Sequence, residues 1–177
     1  IASACLVYAR QIRIGYSYVP VACVGAVFTD PEFRGRGLAG RLITDIIGYA
    51  AKRRDGLLLL DGVNGLYDRF GFVSVHNWTQ FTLQIDEILN GPTADMPIRQ
   101  ATVVDAADLQ ARYFHHFGAY TGSFLRTSAL QRHHLRAGNP YSKVFIAYAA
   151  DGRSRGHMKH HTLQHGSSSE VTADDPE

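Results

Sequence analysis

The stretch from Val24 to Arg53 constrains the fold of this chain more than any other, because a strand, a glycine-rich loop and a helix follow one another in it. Pro31 closes the strand, since proline cannot donate to a sheet and keeps the preceding residue out of helical geometry. Gly35 and Gly37 lie beside arginines and let the backbone approach a ligand closely. The helix then directs its first unpaired N–H groups at the same place. The stretch therefore predicts a site for a phosphate-bearing molecule, with a solvated turn as the alternative.

The spacing of apolar residues predicts that this helix packs against a sheet. One stripe of the helix contains Leu38, Leu42, Ile43, Ile46, Ile47 and Ala50. Gly40 and Gly48 each cost about 1 kcal/mol relative to alanine inside a helix, so packing must hold it, and close backbone approach is one reason for the glycines. Neither the dinucleotide-binding pattern G-x-G-x-x-G nor the P-loop pattern G-x-x-x-x-G-K-[ST] matches the loop before the helix.

The segments around this stretch predict further strands. Ala4 to Ile14 alternates like a strand, Gly15 marks a turn, and Tyr16 to Phe28 follows as the partner in a hairpin. Pro20 in the second strand argues for a bulge or an edge position. Leu57 to Leu60 is a short apolar run typical of a strand covered on both faces. Strand, helix and strand in this order predict a parallel crossover.

A second block, Leu66 to Phe72, predicts one or two helical turns that end at Gly71. Val73 to Val75 and Trp78 to Ile85 are predicted to form a terminal strand pair. The aromatic residues of the block could form a plug under the sheet, and this is our interpretation of Phe70 and Phe72.

The two blocks together resemble the GCN5-related N-acetyltransferases (GNAT). In that family, Gln or Arg, two residues, Gly, one residue, then Gly or Ala bind the pyrophosphate of acetyl-CoA, and Arg34, Gly37 and Ala39 fit this pattern. A Tyr-x-(Lys or Arg)-x-Gly-Phe element follows in the family, as it does here from Tyr67. Many members place an asparagine further upstream of the tyrosine, whereas Asn64 is only three residues before it. The hydrogen bonds of that asparagine to the pantetheine arm are therefore in question.

The resemblance implies an α/β fold with a mixed, mostly antiparallel sheet flanked by helices, which lacks the N-terminal elements of the family. Residues 1–86 would be the acetyl-CoA-binding domain. The strand ending at Thr29 would splay from Leu57 to Leu60 and present backbone N–H groups to the acetyl oxygen and the pantetheine amides. The implied acetyl-CoA-binding residues are Val27, Phe28, Thr29, Arg34, Gly35, Arg36, Gly37, Leu38, Ala39 and Gly40.

The implied activity is direct transfer of an acetyl group from acetyl-CoA to an amine of a small molecule or protein. Tyr67 would be the general acid that protonates the departing thiolate, because a phenol keeps its proton at neutral pH. Asp30, Glu32 and Asp61 are open as general bases, although each could equally be a turn or cap residue. The alternative function is a non-catalytic module that binds CoA or a protein partner on the same fold.

The second half of the chain predicts a partial unit of the same kind. Residues 87–96 form a linker by their turn residues. The predicted elements after it are a strand at Pro97–Ala101, a helix at Val103–Phe117 capped by Thr102, a helix at Ser128–Ala137 and a strand at Lys143–Ala150. This order resembles the beginning of a second GNAT domain at 97–152, without the motifs, as in tandem proteins of the enhanced-intracellular-survival type.

Residues 153–177 show no periodicity and are rich in Ser, His and Gly, so a disordered tail is predicted. Histidines at 157, 160, 161 and 165 could bind a metal in principle, but a fortuitous polar tail is the preferred interpretation, and no metal site is predicted. His115-His116 and His133-His134 are interpreted as solvated helix faces.

Composition and charge exclude several classes of protein. A hydrophobic content of 45% fits a folded globular protein, and a net charge of +2 is too mild for a nucleic-acid partner. No apolar segment reaches the roughly 18 residues that span a bilayer, and no signal peptide is present, so a cytoplasmic protein without a membrane partner is predicted. Cys5 and Cys23 are interpreted as reduced thiols. The chain begins at Ile1 and looks like a fragment, and its strand edges are compatible with a homo-oligomer.

Overall fold

The computed structural model describes residues 1–63, 65–75, 96–136, 139, 142–161 and 168–174. Contacts divide the chain into two units, of which the first is Ile1–Trp78 with Tyr120–Leu125 and the second is Thr79–Ala119 with Arg126–Glu177. Each unit has its own sheet and its own helices. The predicted mixed, mostly antiparallel α/β fold is confirmed. No helix in the described ranges is both long and apolar enough to cross a membrane.

In its described part, the first unit has a three-stranded sheet and one long helix. Its elements are β1 (Ser3–Ile14), β2 (Ser17–Thr29), α1 (Leu38–Arg53) and β3 (Leu57–Leu60). The central strand is β2, which runs antiparallel to β1 and parallel to β3. Gly15 makes the turn between β1 and β2 with a φ of +58°. The predicted hairpin and the parallel strand–helix–strand crossover are therefore confirmed.

The apolar stripe of α1 packs on one face of this sheet. Ile43 and Ile46 are buried and form a cluster with Val24 of β2. Half-buried side chains from the strands, among them Cys5, Val7, Leu58 and Leu60, pack against this cluster. The helix ends where Arg54 adopts a left-handed conformation with a φ of +62°. Periodicity therefore predicted the buried face of α1 correctly.

Pro20 lies in the central strand, so the predicted bulge or edge position there is wrong. The register of β1 and β2 is continuous at Gln11 opposite Pro20. The Pro20 carbonyl accepts a hydrogen bond of 2.8 Å from the N–H of Gly56, just before β3 begins. In a strand, the N–H and C=O of one residue point to the same side. The donor that proline lacks would therefore point beyond the start of β3, and the sheet loses no hydrogen bond.

Coverage of β3 is lower than predicted. Leu57 is 39% exposed and the following leucines are half-buried. In the part of the chain that the structure describes, β3 pairs only with β2.

The predicted strand at Val73 to Val75 is wrong, because these residues have no regular structure. Its predicted partner, Trp78 to Ile85, and most of the predicted linker lie outside the described residues.

A segment from later in the sequence, residues 120–125, joins the edge of the first sheet beside β1. The N–H of Gly122 donates to the carbonyl of Arg13 over 2.7 Å, and the N–H of Leu125 donates to the carbonyl of Gln11 over 2.8 Å. Ile12 forms an antiparallel bridge with Phe124. The sequence pattern places this segment in the second unit, so its pairing with β1 is a correction.

The described residues of the second unit form an antiparallel sheet of four strands and two helices. Its elements are β4 (Ile98–Gln100), α2 (Ala106–Phe117), α3 (Ser128–His134), β5 (Ser142–Tyr148), β6 (Ser154–His161) and β7 (Ser168–Ala173). Leu109 of α2 and Ile146 of β5 are almost fully buried in its core. Thr102 and Asp105 form a capping box on the 3-10 turn that leads into α2, which confirms Thr102 as a cap.

The disordered tail predicted at 153–177 is wrong for the residues of β6 and β7, which pair as an antiparallel hairpin. His157 on β6 is 5% exposed. Its ring nitrogens lie 2.6 Å from a carboxylate oxygen of Glu170 and 2.7 Å from the hydroxyl of Thr172, both on β7. Hydrogen-bonded polar side chains therefore fill the inner side of the hairpin, and this is why the segment has no apolar alternation. His165 lies outside the described residues.

Gly48 gives a prediction about stability. It lies inside α1, and an added Cβ would meet nothing within 4 Å among the described residues. We expect Gly48→Ala to stabilise the chain by up to about 1 kcal/mol, because alanine favours the helix. The urea midpoint measures this gain. At Gly40 the added Cβ would lie 3.3 Å from Cζ of Phe70, so Gly40→Ala should gain less or lose stability. An equal gain at both positions would contradict tight packing at Gly40.

His134 at the end of α3 should make the stability of the second unit depend on pH. Burial, and then the positive charges of Lys159 and Arg126, lower the pKa of His134 to about 4 from the ordinary value of 6.5. The unfolded chain then binds the proton first, so stability is lost as the pH falls from 6.5 toward 4. We expect the thermal midpoint to fall through this window, and less steeply in His134→Gln. Parallel pH profiles of the two proteins would contradict this assignment.

Candidate active site

The end of β2 runs past its neighbour and leaves one edge unpaired. The pairing of β2 with β3 stops at Val24 opposite Leu60, whereas β2 continues to Thr29. Within the described residues, positions 25–29 have only β1 as a strand partner. Backbone N–H and C=O groups are strong hydrogen-bonding groups, so this open edge of β2 can hydrogen-bond a ligand. The pairing stops because β3 itself ends at Leu60, so the divergence of the two strands stays a prediction.

A β-bulge bends β2 at the same place. Between the pairs Leu6–Gly25 and Ala4–Phe28, β1 has one residue and β2 has two, Ala26 and Val27. Ala26 has a φ of +50°, which is uncommon for a residue with a Cβ. Bulges re-aim the backbone and are frequent next to active sites. Sequence reasoning missed Ala26, because a small residue among small residues carries no signal for a positive φ.

The loop between β2 and α1 is shaped by its own backbone. A carboxylate oxygen of Asp30 accepts from the N–H of Glu32 over 3.0 Å and caps a 3-10 turn at Pro31–Phe33. Gly35 and Gly37 have φ values of +75° and +72°, which glycine adopts without strain. Asp30 is therefore a cap residue. The sequence analysis gave this as the alternative to a role as general base.

Two exposed arginines line this loop. Nε of Arg34 donates to the carbonyl of Thr29 over 3.3 Å, and Nη2 of Arg36 donates to the carbonyl of Glu32 over 3.4 Å. In the described part of the chain neither arginine pairs with a carboxylate. Their charge is therefore available to an anion.

The first turn of α1 is open to the same anion. Gly37 is the N-cap, no side chain caps the first N–H groups, and the first turn contains no acidic residue. Leu38, Ala39 and Gly40 are half-buried. Uncapped N–H groups and the positive end of the helix dipole favour a phosphate here. These residues and the two arginines fit the pyrophosphate group that the family motif would bind.

The second sequence block packs onto this first turn of α1. A 3-10 turn at Asp68–Phe70 follows Tyr67. The ring of Phe70 reaches Gly40 so closely that a Cβ there would lie 3.3 Å from Cζ. Phe70 and Phe72 pack against the core cluster under α1, which confirms the interpretation of both as core residues.

Tyr67 lies beside the segment that follows β3. Its half-buried ring contacts Phe72 edge-on, with ring centroids 6.0 Å apart. An added Cβ at Gly62, two residues after the last residue of β3, would lie 3.3 Å from the Tyr67 hydroxyl. The hydroxyl is therefore close to the segment that follows the end of β3.

The remaining residues of interest are less well placed for chemistry. Glu32 and Asp61 are both exposed, and neither is singled out as a general base. Asn64 lies outside the described residues. The general base therefore stays open, and the binding roles of the loop and strand residues stay predictions.

Residues 1–75 match the family model described as an acetyltransferase (GNAT) domain. Among curated proteins, none matches the sequence at a significant level.

Several solved structures have a similar fold. A probable N-acyltransferase from Enterococcus faecalis has a TM-score of 0.64 at 19% identity, over 90% of this chain and 41% of that chain. A GCN5-related N-acetyltransferase from Kribbella flavida has a TM-score of 0.62 at 17% identity, over 98% and 44% of the two chains. Eis1 from Mycobacterium abscessus has a TM-score of 0.55 at 19% identity, over 98% and 47%. The present chain thus spans less than half the length of these structures. Residues 1–75 are therefore similar to a GNAT acetyltransferase domain, and the chain shares the fold of these solved structures.

Proposed function

We propose that this chain is the acetyl-CoA-binding part of an N-acetyltransferase whose acceptor is an amine of a small molecule or a protein. The observation that carries the proposal is the meeting of the two sequence motifs. The turn after Tyr67 packs on the uncapped first turn of α1, while the end of β2 runs past β3 beside them. The proposed site would combine this anion-binding turn, the unpaired edge of β2 and the phenol of Tyr67.

The donor would bind through backbone groups and two arginines. The loop N–H groups, the first turn of α1 and the guanidinium groups of Arg34 and Arg36 would hold the pyrophosphate. The open edge of β2 would receive the pantetheine amides. The residues assigned to the donor are Val27, Phe28, Thr29, Arg34, Gly35, Arg36, Gly37, Leu38, Ala39 and Gly40.

The residues of the chain would act on the reacting atoms in two ways. Acetyl-CoA supplies an acetyl group activated as a thioester. A backbone N–H at the unpaired edge of β2 would stabilise charge on the acetyl oxygen. The Tyr67 hydroxyl would give its proton to the departing sulfur. We assign no general base. The proposal also includes a cytoplasmic location, and it allows a homo-oligomer.

Thermal shift and thiol release test the proposal on the whole chain. We expect CoA and acetyl-CoA to raise the melting temperature, and Arg34→Ala to reduce that rise while the exposed control Lys52→Ala leaves it unchanged. With acetyl-CoA present, free thiol should appear with at least one member of a panel of polyamines, aminoglycosides and peptide amines. No stabilisation by either ligand would overturn the proposal. Stabilisation without thiol release for any amine would favour the non-catalytic CoA-binding module.

A further inference from the structure

We propose that Arg69 is a third cationic contact for the diphosphate of CoA, reaching it from the turn after Tyr67 rather than from the glycine-rich loop. The inference rests on the proposed function, because it concerns the same bound donor. Arg69 occupies the basic position of the Tyr-x-(Lys or Arg)-x-Gly-Phe element, to which the sequence analysis gave no role.

The position of Arg69 carries the argument. Its Nη2 atom lies 3.8 Å from the place that a Cβ of Gly40 would occupy. Gly40 belongs to the first turn of α1, which begins at Leu38 and has no side-chain cap. The guanidinium therefore lies beside the same N–H groups that would receive a phosphate.

Phe70 holds this guanidinium in place. The Cζ atom of Arg69 lies 4.9 Å from the centroid of the Phe70 ring. The same ring presses on α1 at Gly40. A Cβ at Gly40 would displace the ring by a few tenths of an ångström, whereas its contact with the guanidinium would be an ordinary one. A guanidinium that rests on an aromatic face loses little freedom on binding, and its planar fork suits phosphate oxygens.

The electrostatics of the position favour an anion as partner. Cations are unfavourable near the start of a helix, because the dipole is positive there. Arg69 nevertheless lies there with Arg34 and Arg36, the first turn contains no acidic residue, and no carboxylate pairs with Arg69 in the described residues. A bound diphosphate would offset the repulsion among these like charges.

Calorimetric titration of the whole chain with CoA and with 3′-dephospho-CoA tests the assignment. We expect Arg69→Gln to weaken both ligands by about tenfold, the loss of one charge-assisted hydrogen bond, and to make the salt dependence of Kd shallower. Arg69→Lys should recover part of the affinity, since it keeps the charge. Lys52→Ala removes an equal charge from the exposed C-terminal end of α1, about 20 Å along the helix, and should bind as the wild type does.

Each result of these titrations supports or overturns the assignment of Arg69 to the diphosphate. Wild-type affinity of Arg69→Gln for both ligands would overturn the inference and leave the proposed function intact. A loss seen with CoA alone would place Arg69 at the 3′-phosphate and overturn the diphosphate assignment. Equal losses in Arg69→Gln and Arg69→Lys, together with a lowered melting temperature without ligand, would show a packing role only. Failure of the wild type to bind either ligand would overturn the proposed function and this inference with it.

Discussion

Replacing Tyr67 with phenylalanine is expected to lower kcat about a hundredfold, the contribution typical of a general acid, while Kd for acetyl-CoA changes little. The substitution removes only the hydroxyl, and the ring keeps its edge-on contact with Phe72 and its place over Gly62. Thiol release with the best acceptor amine measures kcat, and calorimetry measures Kd.

Tyr16→Phe is the matched control, since it removes the hydroxyl of a fully exposed tyrosine in the β1–β2 turn. It should leave kcat and Kd unchanged. If Tyr67→Phe also turns over at the wild-type rate, Tyr67 has no part in the chemistry and is a core residue like Phe70 and Phe72.

Replacing Glu170 with alanine should destabilise the second unit by about 3–5 kcal/mol, the cost of breaking a buried ion pair from one side. Glu170 accepts from both terminal nitrogens of Arg126, over 2.9 and 2.6 Å, and lies 2.6 Å from Nε2 of His157. Burial acts to raise the pKa of this carboxyl, but hydrogen bonds from His157 and Arg126 outweigh it and keep the pKa well below its usual range. The variant leaves the Arg126 charge buried without its partner.

Urea denaturation followed by circular dichroism measures the loss, and two variants sharpen it. Glu32→Ala removes an exposed carboxylate of the first unit and should change stability little. The double variant Arg126→Leu/Glu170→Leu removes both charges and should be more stable than Glu170→Ala. Because the folded-state pKa of Glu170 is lowered, wild-type stability should fall as the pH drops below 4.5, and Glu170→Ala should lack that part of the fall. A stability of Glu170→Ala within experimental error of wild type would refute the buried-pair assignment.

Local sequence patterns were sufficient for most elements of the first unit. The apolar spacing from Leu38 to Ala50 fixed the buried face of α1, since a helix repeats every 3.6 residues whatever it packs against. Gly35 and Gly37 marked the loop, because their positive φ values suit glycine alone. Positions that depend on distant partners were not accessible in this way. Pro20 is tolerated in a central strand because its nitrogen faces a place where β3 has not yet begun, so the sheet loses no hydrogen bond.

The second unit contains a hairpin that local sequence patterns did not predict. β6 and β7 read as a polar tail because their inward positions hold His157, Glu170 and Thr172 rather than apolar residues. Periodicity methods look for apolar alternation, so a hairpin stabilised by paired charges is invisible to them. Arg126 completes this cluster from outside the hairpin. Its two hydrogen bonds to Glu170 stabilise the buried carboxylate.

The candidate site likewise contains residues that the sequence predicted and residues that it did not. Arg34, Gly37, Ala39 and Tyr67 were identified from motifs, and the structure places the two motif segments in contact through Phe70 and Gly40. The bend at Ala26 and the approach of Arg69 to α1 arise from packing between segments that are far apart in the sequence. Neither residue type nor spacing indicates such an approach.

The pairing of residues 120–125 with the edge of β1 has a practical consequence for preparing this domain. A fragment that stops at residue 75, where the family match ends, would lose the segment that covers the end of β1. Its bare strand edge would expose Ile12 and free backbone groups to other chains, the usual route to edge-to-edge aggregation. Expression of the acetyltransferase domain for binding studies therefore calls for a chain that extends beyond Leu125, even though the motifs end at Phe72.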